Sequence, residues 1–561
     1  MAGSILTPSA IWKGFKLDGE KNIETVEEFV KDGIIITRFY FNGKKTDGNP
    51  TRIFAVSARS EKFSFLPCVY VLPDFDKDID EDLLIKLAKN GYYVVSTDFS
   101  GKKENKKYYT VYPENAAFAN YEKAKGSLFS IEHDYFSSAW YEWDCVGKYA
   151  LAYILSLPFV LGVGAVGVKT GASVLWHIAY GEKRLSCAAF LFDAGWNAYF
   201  YKNNYKFDGV TPDFHDGDLK FLAGGDAQAY ASLIKIPTLI LSATNSEEYD
   251  FDRAADTLSR TDKNVYAAMD YSVNADNVLD FTAYNDLTLF LATILLKGSK
   301  PEKVLPESPD ISCEYIDGAL SVSVDAVTTG LNKVVLYATE ENLKQSLRAW
   351  KAVAEIESDE SCGGRFLFNY QPLGDAESCL FFARAEYENG FTVSSNVICK
   401  KIDESERKSP RKSNVVFSGR EDFSESVFAP YYEKDYKSCI DDKEGVSLEK
   451  GPMGIYGITG KRGIITYKIN SKSDKPAADA VFLIDVYAES DAKVVVSLVA
   501  EDKTEYSFAI EIKASKVWRN YKAPANKFKS AGGKPMKDYS RATAIKITGE
   551  GKYLINNFLW V

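Results

Sequence analysis

The sequence predicts an α/β fold, with a mainly parallel sheet covered by helices on both faces, followed by two antiparallel β-sandwiches. Over the first 300 residues, strand-like runs alternate with helical patterns, which is typical of a parallel sheet. These runs are almost continuously apolar, as strands buried on both faces are. From about residue 311 onward, short alternating strands follow one another without a long helix, which favours sandwiches.

Eight runs in the first part are rich in β-branched and aromatic residues and end at turn residues. They are 33–41, 52–58, 68–74, 92–99, 160–168, 187–193, 238–244 and 264–270. Helical patterns lie between most of them, for example at 81–91, 142–157 and 287–298. We expect the first two strands to be antiparallel and the later ones to form the parallel sheet.

Two polar stretches that contain proline, 297–310 and 400–414, interrupt these patterns. Because both are charged and poor in apolar residues, we interpret them as linkers that do not pack. The predicted domains are therefore 1–300, 311–400 and 415–561.

Composition excludes several classes of partner. The chain has 561 residues and a formal net charge of −10, which argues against a nucleic-acid partner. No stretch approaches about 18 apolar residues, so no membrane partner is expected. Its eight cysteines form no C-x-x-C pair, which excludes the usual zinc spacings and indicates free thiols. No cofactor or metal is expected, and the start of the chain lacks a secretory pattern, which predicts a cytoplasmic location.

The segment LGVGAVGVKTGAS, residues 161–173, fits three motifs. Gly162, Gly164 and Gly167 match the dinucleotide fingerprint, but the apolar run continues through them, and that fingerprint needs its glycines after the strand. A phosphate-binding loop fails because Val168 separates the glycine from Lys169. A strand, the sharp turn GVKTG and a helix match the frame of a nucleophile elbow, with lysine in the serine position. We favour the elbow, and the dinucleotide interpretation stays open.

The first 300 residues resemble bacterial α/β-hydrolases of the acetylxylan-esterase and dipeptidyl-peptidase type. The pieces that carry the resemblance are AIWKGF, NGYYVVSTDFSG, the TVYPENAAFANYEKAKGS stretch, the SAWYEWDCVGKYALAYIL helix, GVKTGASVLWHIA, LFDAGW and IPTLILSATNSEEYDFDRAADTL. The resemblance covers about half of the chain and implies an α/β-hydrolase fold with ester hydrolysis at the turn Gly167-Val168-Lys169-Thr170-Gly171.

The catalytic triad that the resemblance implies is lost. Lys169 takes the place of the serine, and no histidine follows 264–270. No aspartate follows 238–244 at the expected position, although Glu247 or Asp250 could reach it. Of the three histidines, His177 lies in the helix after the elbow and is expected in the core, while His133 and His215 lie in connecting segments. We therefore expect no intact catalytic residue.

Lysine cannot replace the serine as a nucleophile. Its amine is protonated at an unperturbed pKa near 10.4, and a captured acyl group would form a stable amide. A cation is also disfavoured at a helix N-terminus, so a carboxylate is expected to hold it. The candidate partners are Asp74, Asp76, Asp193 and Glu247. An acidic loop at 74–76 would also repel a developing oxyanion.

Aromatic residues supply the candidate ligand contacts. In 195–207, Trp196, Tyr199, Phe200, Tyr201 and Tyr205 predict either a sugar-stacking platform or a lid packed on its own rings, and we favour the lid. The segment 311–400 resembles immunoglobulin-like modules. The last segment resembles jelly-roll carbohydrate-binding modules, and Trp518 and Tyr521 are its candidate contacts.

The resulting expectation is a carbohydrate-associated binding protein without esterase activity. Two alternatives stay open: an active hydrolase with an unorthodox nucleophile such as Ser173 or Ser246, and a scaffold that binds other proteins through its β-domains. The oligomeric state is not predicted.

Overall fold

A nine-stranded mixed sheet organises the first half of the chain. The computed structural model describes residues 4–62, 64–193, 195–203, 212–249, 251–316, 318–340, 344–358, 363–410, 412–419, 427–432, 440–443 and 445–561. The strands of the sheet are β1 (Glu24–Lys31), β2 (Ile34–Thr46), β3 (Asn49–Ser60), β4 (Leu66–Leu72), β5 (Tyr93–Thr97), β6 (Val160–Val168), β7 (Leu185–Leu191), β8 (Thr238–Ala243) and β9 (Ala267–Ser272).

The strand order is β1-β2-β3-β5-β4-β6-β7-β8-β9. The strands β1, β2, β3 and β5 pair antiparallel in sequence, and all pairs from β5 to β9 are parallel. This mixed sheet with helices on both faces is an α/β-hydrolase fold, which confirms the predicted fold class. Strand β1 was not predicted, because its eight residues ETVEEFVK are mostly exposed and four of them are charged.

The helices of this part are α1 (Pro8–Ile11), α2 (Glu81–Lys89), α3 (Tyr121–Ala124), α4 (Ala139–Ile154), α5 (Thr170–Ala179), α6 (Asn197–Asn203), α7 (Asp216–Gly224), α8 (Ala227–Tyr230), α9 (Phe251–Ser259) and α10 (Phe281–Leu291). Side chains that alternate along each strand enter opposite cores. Tyr70 of β4 packs on the side of α4 and α5, whereas Val69 and Val71 pack on the side of α2 and α10. None of the helices in the described residues is long and apolar enough to cross a membrane.

Two antiparallel sheets follow, as predicted for a sandwich. One contains β10 (Asp310–Ile316), β11 (Ala319–Asp325) and β14 (Arg365–Tyr370). The other contains β12 (Leu331–Glu340), β13 (Lys351–Glu357), β15 (Ser378–Tyr387), β16 (Thr392–Ser394) and β17 (Ile398–Lys401). We call this part the middle sandwich.

The last part, which we call the C-terminal sandwich, has two further antiparallel sheets around a core of its own. One sheet contains β18 (Val415–Phe417), β20 (Val446–Lys450), β21 (Tyr456–Gly460), β23 (Val481–Tyr487), β26 (Arg519–Pro524) and β28 (Leu554–Trp560). The other contains β19 (Phe428–Pro430), β22 (Gly463–Thr466), β24 (Ala492–Ala500), β25 (Glu505–Ile512) and β27 (Ala542–Glu550).

The stretch 297–310 packs against the sheet, so its interpretation as a linker that does not pack is wrong. Leu305 is 4% exposed and lies in the core on the α2 side. The Tyr266 hydroxyl donates to the Pro306 carbonyl at 2.9 Å, and the Ser308 hydroxyl accepts from the Met269 amide at 2.8 Å. The charged residues of this stretch and Val304 are exposed, while Leu305 and the three prolines are buried, so the low apolar content hid the packing of the stretch.

The middle sandwich shares its core with the α/β part. Trp350 and Phe382 belong to the core on the α4 side, and the Trp350 ring lies 5.8 Å from Phe251. The core on the α2 side also continues from β4 into β12 and β15. The domain boundaries stay a prediction, but these two parts are one packing unit.

Candidate functional site

Lys169 occupies a sharp turn between β6 and α5, at the carboxyl edge of the sheet. Its backbone has φ 51° and ψ −118°, a conformation that L residues rarely adopt outside strained functional turns. A side chain at Gly171 would lie 2.3 Å from the Leu72 carbonyl oxygen, and one at Gly167 would lie 2.5 Å from the Ala172 Cα. The turn therefore requires glycine on both sides, as a nucleophile elbow does.

The glycines of the alternative dinucleotide motif lie inside a strand. Gly162, Gly164 and Gly167 all belong to β6, and the helix begins only at Thr170. A phosphate therefore has no glycine turn ahead of a helix N-terminus here, which the fingerprint requires. The geometry supports the elbow interpretation over the dinucleotide one.

The ammonium group of Lys169 lies between two carboxylates. Its Nζ donates to Glu248 at 2.7 Å and lies 3.9 Å from an Asp74 oxygen. The Lys169 side chain is 14% exposed, the Asp74 side chain 8% and the Glu248 side chain 59%. Among the described residues, its partners are thus a half-exposed glutamate in the loop after β8 and the buried Asp74, which is one of the four predicted carboxylates.

Asp74 binds the backbone amide that follows it. Its Oδ1 accepts from the Phe75 N–H at 2.9 Å, in the loop after β4. Burial raises the pKa of Asp74 to about 7, while the charge of Lys169 and a hydrogen bond from Thr170 act in the opposite direction. In α/β-hydrolases an amide of this loop and the amide after the nucleophile bind the oxyanion. In this chain, the amide of Phe75 in that loop donates to the Asp74 carboxylate.

The other predicted partners have different roles. Asp76 pairs with Lys77 at 3.1 Å. Burial raises the pKa of Asp76, but Lys77, a hydrogen bond with Asp74 and the charge of Lys169 together outweigh burial, and the net shift is downward. Asp193 accepts from the Ser173 hydroxyl at 2.6 Å in the interior behind the elbow. Glu247 pairs with Lys503 of the C-terminal sandwich. The prediction that Asp193 or Glu247 holds Lys169 is therefore wrong.

Glu248 was not among the predicted partners of Lys169, whereas its neighbour Glu247 was. A run of two glutamates does not reveal which of them faces the elbow. In the loop, the Ser246 hydroxyl accepts from the amides of Glu248 and Tyr249 at 3.2 and 2.9 Å. This turn directs Glu247 toward Lys503 and Glu248 toward Lys169.

The loops after β8 and β9 each carry a buried asparagine. Asn245 follows β8 and donates to the carbonyls of Ser346 and Arg348 in the middle sandwich, at 3.2 and 2.8 Å. Asn277 follows β9 and donates to the Ser246 hydroxyl at 2.7 Å. Both amides have structural hydrogen bonds, and neither can accept a proton from a nucleophile at neutral pH.

His177 is a core histidine, as expected. It is fully buried, its Nδ1 lies 2.8 Å from Asp144, and its Nε2 donates to the Gly225 carbonyl at 2.7 Å. His133 is exposed before α4, and His215 is exposed at the start of α7. The loops after β8 and β9 contain no histidine.

The two serines considered as unorthodox nucleophiles are inaccessible. Ser173 is 2% exposed and is bonded to Asp193, and Ser246 is fully buried and receives three hydrogen bonds. A nucleophile needs an open approach for substrate and a base within hydrogen-bonding reach. Neither serine has the first of these.

The middle sandwich and the C-terminal sandwich both contact the loop after β8. Gln345 of the middle sandwich donates to the carbonyls of Ser246 and Tyr249 at 3.0 and 2.6 Å, and its side-chain oxygen accepts from the Phe251 amide at 2.7 Å. Lys503 adds the ion pair with Glu247. The position of Glu248, and hence that of Lys169, depends on contacts from outside the α/β part.

The predicted aromatic cluster is mostly packed. Tyr199 and Phe200 are 8% and 5% exposed, and Trp196 and Phe214 pack against them. Guanidinium groups of Arg253 and Arg260 lie 5.2 and 5.3 Å from the Trp196 ring centroid. Tyr201 is 68% exposed, and Tyr205 falls outside the described residues. The geometry agrees with the lid interpretation.

The two candidate contacts of the C-terminal sandwich have different surroundings. Trp518 is half-buried: its ring covers Gly451 and Gly457, and its indole N–H donates to the Pro452 carbonyl at 3.3 Å. Tyr521, also half-buried, packs against the core of that sandwich. The role of both in ligand binding stays a prediction. In the described part of the chain, no group of three or more histidine, cysteine or acidic side chains is arranged to hold a metal ion.

No protein-family model matches the chain, and no curated protein was found to match it. Solved structures are similar over about half of it. An acetyl xylan esterase from a Paenibacillus species is 13% identical with a TM-score of 0.35, and the match covers 48% of this chain and 86% of that one. Est1E from Butyrivibrio proteoclasticus is 11% identical with a TM-score of 0.33, over 46% and 98%.

A further acetyl xylan esterase, from a Thermoanaerobacterium species, is 16% identical with a TM-score of 0.32, and the match covers 48% of this chain and 87% of that one. The strand order and the turn geometry define the class of protein: an α/β-hydrolase fold with an elbow turn, followed by two β-sandwiches. Residue roles in this chain rest on its own contacts.

Proposed function

We propose that this chain is a carbohydrate-associated binding protein built on an α/β-hydrolase fold that no longer hydrolyses esters. One observation carries the loss of catalysis: the Asp74 carboxylate occupies the Phe75 amide at 2.9 Å. That amide is where the resemblance to acetylxylan esterases would place an oxyanion donor. Negative charge at this position opposes the charge that develops in acyl transfer.

The elbow residue supports the same conclusion. Lys169 is held as a cation by Glu248 at 2.7 Å, so its amine has no free electron pair for attack. The loops after β8 and β9 contain no histidine, so the general base that the resemblance implies for a catalytic triad is missing. Loss of the oxyanion donor and loss of the base are independent, so a single substitution is not expected to restore turnover.

A carbohydrate ligand is supported by the C-terminal sandwich. A cleft of about 380 Å³ on the sheet that contains β22, β24 and β27 is lined by Tyr431, Arg462, Lys493 and Glu550. One aromatic ring among several hydrogen-bonding side chains suits a polyhydroxylated ligand. The exposed Tyr201 of the α/β part is a second candidate contact.

The test of catalysis compares the full chain with its heat-denatured form on 4-nitrophenyl acetate and acetylated xylan. We expect equal rates, and Lys169→Ser is expected to stay inactive. Turnover that exceeds the denatured control and survives Lys169→Ala would refute the loss of hydrolysis.

The test of binding is a glycan array probed with the full chain, followed by the same array with Tyr431→Ala. Binding that Tyr431→Ala weakens, while Tyr487→Ala on the other sheet leaves it unchanged, supports the C-terminal cleft. No bound glycan would overturn the carbohydrate part of the proposal and favour a protein-binding scaffold.

A further inference from the structure

A second cavity lies beside the elbow, on the face of the sheet that α2 covers. It has a volume of about 470 Å³, which falls in the range of small-molecule sites. It lies between the carboxyl ends of β4 to β7 and the start of α2, and Ile440 of the C-terminal sandwich lines it. Asp74 lines it too, whereas Lys169 does not.

The floor of the cavity is apolar except for one hydroxyl. Val71, Ser96, Val168 and Leu191 line it from four neighbouring strands, and Leu279 adds to the apolar surface. Ser96 is 1% exposed, and its Oγ has no hydrogen-bond partner among the described residues. A buried hydroxyl without a partner is unfavourable, so a ligand with a hydrogen-bonding group would be stabilised here.

The charge of the cavity favours a cation. Its described lining includes five carboxylates and two lysines: Asp74, Asp78, Asp80, Glu81, Asp82, Lys31 and Lys77. Both lysines already have acidic partners at 3.1 Å, Lys31 with Asp82 and Lys77 with Asp76.

Three of the acids have no cation within hydrogen-bonding distance among the described residues. Asp74 and Asp78 form only long ion pairs, 3.9 Å from the nitrogens of Lys169 and Lys106, and Asp80 accepts from the amides of Asp82 and Leu83. The carboxylate of Asp74 is buried and lines this cavity. Salt screens an ion pair at such a buried position less than it screens one at the surface.

We propose that this cavity binds an organic ammonium compound with an apolar body. The ammonium group pairs with Asp74, the apolar body lies on Val71, Val168 and Leu191, and a hydrogen-bonding group of the ligand reaches Ser96. This site does not depend on a carbohydrate ligand, because the C-terminal cleft does not line it. It shares Asp74 with the proposed loss of ester hydrolysis, but the binding of an ammonium compound is measured without an ester substrate, so the two proposals can fail separately.

Calorimetric titration of the full chain at pH 8 tests the chemistry with three probes that share a phenol ring. Tyramine carries the ammonium group, 4-ethylphenol is neutral and 4-hydroxyphenylacetate is anionic. We expect tyramine to bind at least tenfold more tightly than the other two. Equal affinities, or no binding of tyramine at millimolar concentration, would overturn the proposal.

Substitutions test the location. Asp74→Asn and Ser96→Ala are each expected to weaken tyramine binding about tenfold, since each removes a hydrogen bond to the ligand. Ser242→Ala is the matched control, because Ser242 is a buried serine of β8 outside the lining. Ser96→Ala should leave the thermal midpoint unchanged or raise it, so weaker binding cannot be attributed to unfolding.

Leu279→Trp provides a second route, because Leu279 lines the cavity and the larger ring would fill part of its volume. The folded variant, checked by circular dichroism, is expected to lose tyramine binding. If the folded Leu279→Trp protein binds tyramine as the natural chain does, or if Ser242→Ala weakens binding as much as Ser96→Ala, the proposed site is wrong.

Discussion

Arg348 and Asp252 form a fully buried ion pair that joins the middle sandwich to the α/β part. The second guanidinium nitrogen donates to Asp252 Oδ2 at 2.9 Å, and the first donates to the other carboxylate oxygen. Both side chains are 0% exposed. The Arg348 carbonyl also accepts from Asn245 at 2.8 Å, so the residue fixes the loop after β8 as well.

Arg348→Met should therefore destabilise the protein by about 3–5 kcal/mol, because it leaves a buried carboxylate without its partner. Arg365→Met is the control. Arg365 pairs with Asp325 in the same bidentate way, but their side chains are 65% and 49% exposed, so the expected loss is about 0–1 kcal/mol. Chemical denaturation measures both, and similar losses would contradict the importance of burial.

The shared core predicts that residues 1–300 do not fold alone. Without the middle sandwich, the core on the α4 side loses Trp350 and Phe382, and the loop after β8 loses Gln345. We expect residues 1–401 to show a cooperative thermal transition in calorimetry and residues 1–300 to show none. A cooperative transition of 1–300 at the same temperature as 1–401 would show that the two parts are independent.

Gly171→Ala should distort the elbow and destabilise the protein by about 3 kcal/mol, at the upper end of the usual range for overpacking. The reason is the 2.3 Å approach of the new Cβ to the Leu72 carbonyl oxygen. Gly162→Ala is the control, because its Cβ would meet only the Ser186 hydroxyl, at 3.6 Å. Thermal midpoints measure both, and a larger loss for Gly162→Ala would contradict the elbow geometry.

Lys169→Met should destabilise the protein by about 1 kcal/mol at pH 8 and by less at pH 6. The Glu248 partner is half-exposed, so that contact contributes little. The pKa of Asp74, about 7, is raised above its ordinary value, so the folded state holds a proton that the unfolded state releases. Stability from this group is present at low pH and is lost as the pH rises from about 4 to 7.

Without the charge of Lys169, the pKa of Asp74 rises further. The loss of stability with rising pH then continues above pH 7, so Lys169→Met destabilises the protein more at pH 8 than at pH 6. Asp74→Asn added to Lys169→Met should recover the pH-dependent part, because no carboxyl remains to titrate. Urea denaturation at pH 6 and pH 8 measures both effects. Equal losses at the two pH values, or no recovery in the double variant, would show that Asp74 and Lys169 are not coupled.

The sequence by itself determined the fold class, because burial on both faces makes the strands of a parallel sheet apolar throughout. All eight predicted strands of the first part are present, and the frame GVKTG located the elbow, since only glycines fit beside so tight a turn. The buried role of His177 also followed from its place in a helix with apolar neighbours. The exposed strand β1 was not predicted, because a charged edge strand has no apolar pattern.

Only the tertiary structure decided which carboxylates meet Lys169. Asp74, Asp193 and Glu247 all follow strands at the same edge of the sheet, so the sequence cannot tell them apart. Their side chains nevertheless reach different partners, which are Lys169, Ser173 and Lys503. The choice of Glu248 over Glu247 depends on contacts of the loop with Gln345 and Lys503, about 100 and 256 residues further along the chain. Such contacts form only when distant segments pack together, so no local pattern records them.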